Sequence, residues 1–192
     1  MGPLKRKLIK WGASPNTLTI AGFIFSLAAG VAFGMSEFGL GGWMVILAAT
    51  CDIYDGQLAR ARGIDLKSGA FLDSVLDRLG ESAMFCGLAW HFKDNSFWFL
   101  VLFITFTASQ LVSYSRARAE GLGFLGARGF FQRAERMIVM SIGMCLIPVF
   151  EEFFQSGQAV LFTTVAFLCL GSSQTAITRA VAIFKDIRAT EK

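Results

Sequence analysis

The stretch DIYDGQLARARGIDLKSGAFLDSVLD, residues 52–77, contains five aspartates, and four of them recur at helical spacing, which constrains how the rest of the chain can fold. These four are Asp52, Asp55, Asp73 and Asp77. Apolar segments flank the stretch on both sides, and a carboxylate near the core of a bilayer costs on the order of 3 kcal/mol. Four such groups need a neutralising partner, and divalent cations bind oxygen ligands of this kind. The aspartates are therefore the first candidates for a functional site.

The composition indicates a membrane protein. Of the 192 residues, 54% are hydrophobic and 20 are Phe. A helix crosses a bilayer with roughly 20 apolar residues. Three stretches of about this length lack Asp, Glu, Lys and Arg: 17–36, 95–115 and 153–178. Each of them can span a membrane.

Three shorter apolar stretches end in charged residues: 38–51, 82–92 and 137–150. They become full spans if the neighbouring charges belong to helices that line a polar cavity or extend beyond the hydrocarbon. We therefore predict an all-α integral membrane protein with six transmembrane helices, folded as a single domain over residues 1–192. Residues 1–15 form a juxtamembrane segment, in which alternating basic and apolar residues at 4–11 predict a short amphipathic helix on the membrane surface.

The basic residues predict the orientation, because Lys and Arg in short loops stay on the cytoplasmic side. They concentrate before the first predicted helix, between the second and third, between the fourth and fifth, and after the sixth. Both termini and the aspartates are thus expected on the cytoplasmic side of the cell membrane. The net charge of +4 reflects this topology and attraction to anionic membrane lipids, and it gives no case for nucleic acid.

Helical periodicity brings the four carboxylates together. A residue advances about 100° around a helix, so Asp52 and Asp55 share one face, and Gly69, Asp73 and Asp77 share a face of the next helix. Two antiparallel helices can place these faces together. The resulting oxygen-rich site suits one or two Mg²⁺ or Mn²⁺ ions, because it contains neither His nor Cys to favour zinc.

Residues around the aspartates favour a phosphate-bearing ligand. Gly56 and Gly69 lack side chains where a bulky ligand would approach the backbone. Arg60 offers a guanidinium fork that matches phosphate oxygens. Taken singly, each residue could equally be a helix cap, an ion-pair partner or a packing residue, but four acids on two converging faces are not explained in that way.

The run Asp-x-x-Asp-Gly-x-x-Ala-Arg, eight residues, Gly-x-x-x-Asp-x-x-x-Asp resembles the signature of the CDP-alcohol phosphatidyltransferase family. The resemblance implies a six-helix membrane enzyme, commonly a homodimer. Such an enzyme transfers a phosphatidyl group from a CDP-linked lipid, such as CDP-diacylglycerol (CDP-DAG), to an alcohol and releases CMP. A further similarity is Pro15-Asn16-x-x-Thr19, which resembles a recurring family element close to the nucleotide.

The resemblance also implies residue roles. Metal ligands would be Asp52, Asp55, Asp73 and Asp77, and Asp77 would also act as the catalytic base. The CDP-lipid would be bordered by Asn16, Gly56, Ala59, Arg60 and Gly69.

A second cluster of arginines follows the fourth predicted helix: Arg116, Arg118, Arg133 and Arg136. On composition alone, topology and a solvated loop explain them. The segment is also similar to the family branch that makes phosphatidylinositol phosphate or archaetidylinositol phosphate, which implies an acceptor-phosphate site for inositol 1-phosphate. Glycerol 3-phosphate would satisfy the same arginines.

Two other classes of protein remain as alternatives. An intramembrane prenyltransferase also binds a diphosphate through Mg²⁺ on Asp-rich helices, but it normally has more helices and lacks the Gly56, Arg60 and Gly69 framework. A cation transporter would use intramembrane acids for permeation. It would need neither Arg60 nor the later arginines.

Overall fold

A computed structural model describes residues 14–61, 67–124 and 129–191, and this part of the chain contains six α-helices and no strand. They are α1 (Pro15–Gly34), α2 (Phe38–Ala61), α3 (Lys67–His91), α4 (Ser96–Gly121), α5 (Arg133–Phe154) and α6 (Gly157–Thr190). The predicted all-α class is confirmed. The amphipathic helix predicted at 4–11 lies outside the described residues.

Four of these helices, α1, α4, α5 and α6, are long and apolar enough to cross a membrane. The prediction of a multi-pass membrane protein is thus confirmed. The aspartates lie on α2 and α3, where the charged residues lower the mean hydropathy. As predicted, these two helices continue from an apolar half into the charged stretch, α2 as far as Ala61 and α3 from Lys67.

Local signals explain several helix ends. Ser14 caps α1, because its Oγ accepts a hydrogen bond from the Thr17 amide at 3.1 Å, and Pro15 follows at the first helical position. Asn95 caps α4 in the same way through the Trp98 amide at 3.2 Å. At the start of α5, Glu135 Oε2 accepts from the Gln132 amide at 3.0 Å and completes a capping box.

The chain forms two compact units, the first ending at His91 and the second beginning at Phe92. In the first unit α1 packs against both α2 and α3. Close contacts pair residues in opposite order between α1 and α2, such as Gly22 with Asp52 and Phe33 with Gly41, so these helices are antiparallel.

Small residues allow α1 to approach α3 closely. Gly22, Ser26, Gly30 and Gly34 recur every fourth residue along α1. A Cβ on Gly80 would lie 2.8 Å from the Ser26 side chain, and a Cβ on Gly87 would collide with the Gly30 carbonyl. Contacts advance together along the two sequences, so α1 and α3 are parallel. Such stripes of small residues are typical of packed membrane helices.

In the second unit α6 packs against both α4 and α5. Trp98 on α4 stacks on Phe162 of α6 with ring centroids 4.5 Å apart, and Val112 on α4 contacts Arg179 of α6 further along both helices. These helices are therefore parallel. The segment before α5 also rests on α6, because the Phe131 amide donates to Thr175 Oγ1 at 3.1 Å.

Candidate active site

Three of the four predicted metal ligands come together in the first unit. Asp52 and Asp55 on α2 and Asp73 on α3 each offer a carboxylate oxygen, and these oxygens all lie within 4.8 Å of one another. Asp55 is buried, whereas Asp52 and Asp73 are half-buried. Three carboxylates at this separation form a donor set suited to a hard divalent cation.

Asp77 lies one helical turn after Asp73 on α3 and is half-buried. It does not belong to the three-aspartate group. Its predicted roles as fourth ligand and as base remain predictions. Because Asp77 follows Asp73 by four residues, the two side chains lie on the same face of α3.

Helix α1 contacts both aspartates that α2 contributes to the cluster. Thr19 Oγ1 donates a hydrogen bond of 2.8 Å to Asp55 Oδ2, and both side chains are buried. One turn further along α1, Gly22 faces Asp52: a Cβ added there would lie 3.2 Å from Asp52 Oδ1. Thr19 and Gly22 are three residues apart on α1, as Asp52 and Asp55 are on α2. Each of these α1 residues therefore lies beside one of the two aspartates.

The predicted nucleotide residues fall into two neighbouring pairs. Asn16 Oδ1 would lie 3.4 Å from a Cβ on Gly69, and among the described residues nothing else would come within 4 Å of that Cβ. A Cβ on Gly56 would meet the Arg60 guanidinium at 3.5 Å. Among the described residues, a Cβ at either glycine would therefore be in van der Waals contact with one polar side chain. Ala59, also predicted to border the CDP-lipid, is half-buried on α2.

The predicted acceptor arginines lie in the second unit, and all four are on helices, Arg133 and Arg136 at the helix start where they were predicted. Arg116 and Arg118 belong to the last turns of α4 and are exposed, and Arg116 Nε donates to Glu120 Oε1 at 2.8 Å. Arg133 opens α5 and is half-buried, whereas Arg136 is completely buried. The Arg136 side chain therefore packs in the interior of this unit, in addition to its predicted role in binding the acceptor phosphate.

A further arginine, Arg179 on α6, joins this group. It is 4% exposed, and its Nη1 donates to the Val112 carbonyl at 2.8 Å. Its Nε is buried and has no hydrogen-bond partner among the described residues. The positive charges of Arg116 and Arg136 and the negative charge of Glu120 act on its guanidinium. Several cations gathered around a buried nitrogen donor form a site suited to an anion.

Sequence reasoning missed Arg179 and the supporting role of Thr19. Arg179 directly follows the last predicted apolar stretch, where basic residues indicate membrane orientation, but α6 continues to Thr190 and includes it. Thr19 had a signal, because it closes the Pro15-Asn16-x-x-Thr19 element. That element does not reveal which α2 residue Thr19 would contact.

Comparisons with known proteins identify the family. Residues 13–170 match the model of the CDP-alcohol phosphatidyltransferase family. The chain is 41% identical over 145 residues to the archaetidylinositol phosphate synthase of Pyrococcus horikoshii, covering 73% of this chain and 75% of that protein. It is 37% identical over 146 residues to the phosphatidylinositol phosphate synthase of Mycobacterium bovis, covering 73% of this chain and 67% of that protein.

Two crystal structures of the Mycobacterium tuberculosis phosphatidylinositol phosphate synthase share this fold, each with a TM-score of 0.83, 31% identity and coverage of 95% of this chain. One has CDP-DAG bound and is covered over 92% of its length; the other is a complex with manganese and citrate, covered over 88%. The chain belongs to the CDP-alcohol phosphatidyltransferase family and is a membrane phosphotransferase. The family resemblance of the aspartate motif is confirmed, and the prenyltransferase and transporter alternatives are not supported.

Proposed function

We propose that this enzyme transfers a phosphatidyl-type group from a CDP-linked lipid to a hydroxyl of a phosphorylated polyol, inositol 1-phosphate, and releases CMP. The observation that carries this proposal is the three-carboxylate cluster of Asp52, Asp55 and Asp73. The choice of acceptor is supported by the arginine cluster and by the relatives, which are phosphatidylinositol and archaetidylinositol phosphate synthases.

The cofactor in this proposal is Mg²⁺ or Mn²⁺, as one or two ions held by Asp52, Asp55 and Asp73 with Asp77 as a further ligand. The donor set fits, because it consists of carboxylate oxygens without His or Cys. The manganese complex of the M. tuberculosis relative supports the same choice. When bound, the metal neutralises the diphosphate and stabilises the charge that develops on CMP.

The CDP moiety of the lipid would lie against Asn16, Gly56, Ala59, Arg60 and Gly69. Because neither glycine carries a side chain, the nucleotide could approach the helix backbones at these positions. Arg60 would pair with the diphosphate, and the Asn16 amide offers both a donor and an acceptor to a nucleotide. The CDP-DAG complex of the M. tuberculosis relative supports a lipid of this class as donor substrate.

The chemistry needs a base for the acceptor hydroxyl. In this proposal the Asp77 carboxylate takes the hydroxyl proton while the hydroxyl oxygen attacks the lipid-side phosphorus. A new phosphorus–oxygen bond forms to the acceptor, and the bond to the CMP oxygen breaks. CMP leaves with the electron pair of that bond, and the phosphatidyl group remains on the acceptor.

The acceptor phosphate would bind to Arg116, Arg118, Arg133 and Arg136, to which the structure adds Arg179 as a candidate. Arg179 is buried, its Nε has no hydrogen-bond partner among the described residues, and the charges of Arg116 and Arg136 act on it. A phosphate dianion offsets the mutual repulsion of these guanidiniums. Glycerol 3-phosphate carries the same phosphate, whereas free inositol and serine would leave the arginines without a phosphate.

The proposal includes a membrane topology. All six helices span the cell membrane, with both termini and the active site on the cytoplasmic side. The distribution of basic residues supports this orientation. We also propose that residues 1–192 act as one functional domain, because the family match at 13–170 runs across the boundary between the two compact units.

The assembly proposed from the family resemblance is a homodimer. Many large apolar side chains on the described helices are exposed, among them Phe103, Leu170 and Phe184. In a membrane such surfaces contact either lipid or a second copy. Cross-linking of the protein in native membranes, before any detergent is added, tests whether a second copy is present.

The function is tested by the release of CMP from CDP-DAG by the purified full chain in lipid vesicles. Inositol 1-phosphate, glycerol 3-phosphate, inositol and serine are supplied separately with Mn²⁺. We expect release with inositol 1-phosphate. Release with glycerol 3-phosphate alone would keep the reaction class and change the acceptor, whereas release with serine or inositol alone would reject the arginine site.

A further inference from the structure

The hydrogen bond between Thr19 on α1 and Asp55 on α2 joins two buried side chains across a helix interface. Thr19 is 5% exposed and Asp55 is 7% exposed. The donor is the hydroxyl and the acceptor is Asp55 Oδ2, at 2.8 Å. A charge-assisted bond of this kind in a water-poor interior is stronger than a bond between neutral groups.

Thr19 departs from the usual behaviour of threonine in this structure. Thr50, Thr105 and Thr164 donate their hydroxyl protons to the carbonyl four residues earlier, at 2.7 Å in each case. Thr19 lies within reach of the equivalent Pro15 carbonyl, but at the longer distance of 3.1 Å. A hydroxyl has one proton to donate, and the shorter contact to a carboxylate takes it.

We propose that Thr19 is a positioning residue for the metal site, an inference that rests on the proposed role of Asp55 as a metal ligand. The hydroxyl donates to Asp55 Oδ2 and holds the carboxylate in one orientation beside Asp52 and Asp73, in which it would bind the cation. Hydrogen bonds to metal ligands of this kind raise metal affinity by holding the ligand in its binding orientation.

The neighbouring contact on α1 has a related consequence for Asp52. A Cβ on Gly22 would lie 3.2 Å from Asp52 Oδ1 and 3.3 Å from the Cys51 Cβ. Because Gly22 has no side chain, the Asp52 carboxylate fits against α1. Thr19 supplies a hydrogen-bond donor to Asp55. Helix α1 therefore shapes both α2 ligands, although it contributes no carboxylate to the three-aspartate cluster.

The test is the affinity of the full chain for Mn²⁺ alone, measured in detergent without lipid substrate by electron paramagnetic resonance of free Mn²⁺. Thr19→Val removes the hydroxyl at nearly constant volume, and Thr19→Ala does so without a branched side chain. Thr19→Ser restores the hydroxyl. Thr105→Val is the matched control, because Thr105 is also buried and, among the described residues, donates to the Val101 carbonyl alone. Asp55→Asn gives the background.

We expect Thr19→Val and Thr19→Ala to weaken Mn²⁺ binding by about 10-fold or more. Thr19→Ser and Thr105→Val should bind as the unaltered chain does. Wild-type affinity in a folded Thr19→Val or Thr19→Ala variant would overturn the inference, as would equal losses in Thr19→Ser or Thr105→Val. If the unaltered chain binds no more Mn²⁺ than Asp55→Asn, the proposed metal site itself fails.

Discussion

Asp77 has two proposed roles, as catalytic base and as metal ligand, and a substitution at this residue can separate them. Asp77 follows the three-aspartate cluster by one turn on α3 and is not one of its three members. We expect Asp77→Asn to lower kcat by about 10²- to 10⁴-fold, because the amide cannot take the acceptor proton. Mn²⁺ should still bind at the cluster. The pair of measurements is CMP release and Mn²⁺ affinity, and near-normal turnover would exclude Asp77 as the base.

We expect substitution of Arg179 to weaken binding of the acceptor without affecting binding of the CDP-lipid. Replacing Arg179 with Gln removes a buried donor from the group around Arg116 and Arg136. We expect the KM for inositol 1-phosphate to rise by about 10- to 100-fold, the range for a hydrogen bond to a charged group, with the KM for CDP-DAG unchanged.

Arg188→Gln is the matched control for Arg179, because Arg188 is exposed in the last turn of α6. It should leave both KM values as they are. Equal increases in the two KM values for Arg179→Gln would contradict an acceptor role and would indicate a structural one.

At the level of residues, the sequence predicted those whose chemistry is repeated at fixed spacing. The aspartates were predictable, since helical periodicity alone places them on two faces. Thr19 and Arg179 were not, because their roles depend on contacts with residues 36 and 67 positions away in sequence. No local pattern specifies which helix faces which at that separation.

Among the helices, the packing of α1 against α3 depends on close backbone contact between Gly30 and Gly87. A Cβ on Gly87 would collide with the Gly30 carbonyl, and a backbone carbonyl cannot move aside as a flexible side chain can. We expect Gly87→Ala to destabilise the folded protein by on the order of 3 kcal/mol. The loss should appear despite the better helix propensity of Ala, which is worth about 1 kcal/mol.

The matched control for Gly87 is Gly121→Ala at the end of α4, where a Cβ would meet no described residue within 4 Å. Its stability should change by less than about 1 kcal/mol. Denaturation of both variants in mixed micelles compares them directly. Equal stability of the two variants would show that α1 and α3 can separate without cost.

The helices themselves were largely predictable, but their pairing was not. Apolar stretches located all six described helices, and the capping residues Ser14, Asn95 and Gln132 explain where three of them begin. The expectation that the Arg116 segment is a loop was wrong, because α4 continues through it to Gly121. An apolar stretch marks where a helix meets lipid, and it does not mark where the helix ends.

For the molecule as a whole, the proposed topology places the α3–α4 turn and the end of α6 on opposite sides of the membrane. Asp94 and Ala189 are exposed at these two places. In a chain whose four cysteines have been replaced, we expect a membrane-impermeant maleimide to label Asp94→Cys in intact bacterial cells. Ala189→Cys should react only after lysis. The reverse pattern would invert the topology, and labelling of both in intact cells would reject it.

The whole-molecule class was predictable because one 26-residue motif carries it, and the family match over residues 13–170 confirms the result. The number of spans is harder to establish. Helices α2 and α3 carry the charges of the site, so length and hydropathy alone do not mark them as spans. The polar residues that make the site functional thus obscure the membrane signal of the helices that hold them.

The central claim is that a phosphatidyl-type group passes from the CDP-lipid to a phosphorylated acceptor. The most direct test is the mass of the lipid formed when the purified chain is incubated in vesicles with CDP-DAG, Mn²⁺ and inositol 1-phosphate. We expect a new lipid whose mass is that of the diacylglycerol donor joined through one phosphate to the intact acceptor, and none with Asp55→Asn. Phosphatidic acid as the product, which would mean hydrolysis, or no new lipid from a folded, metal-loaded protein, would contradict the claim.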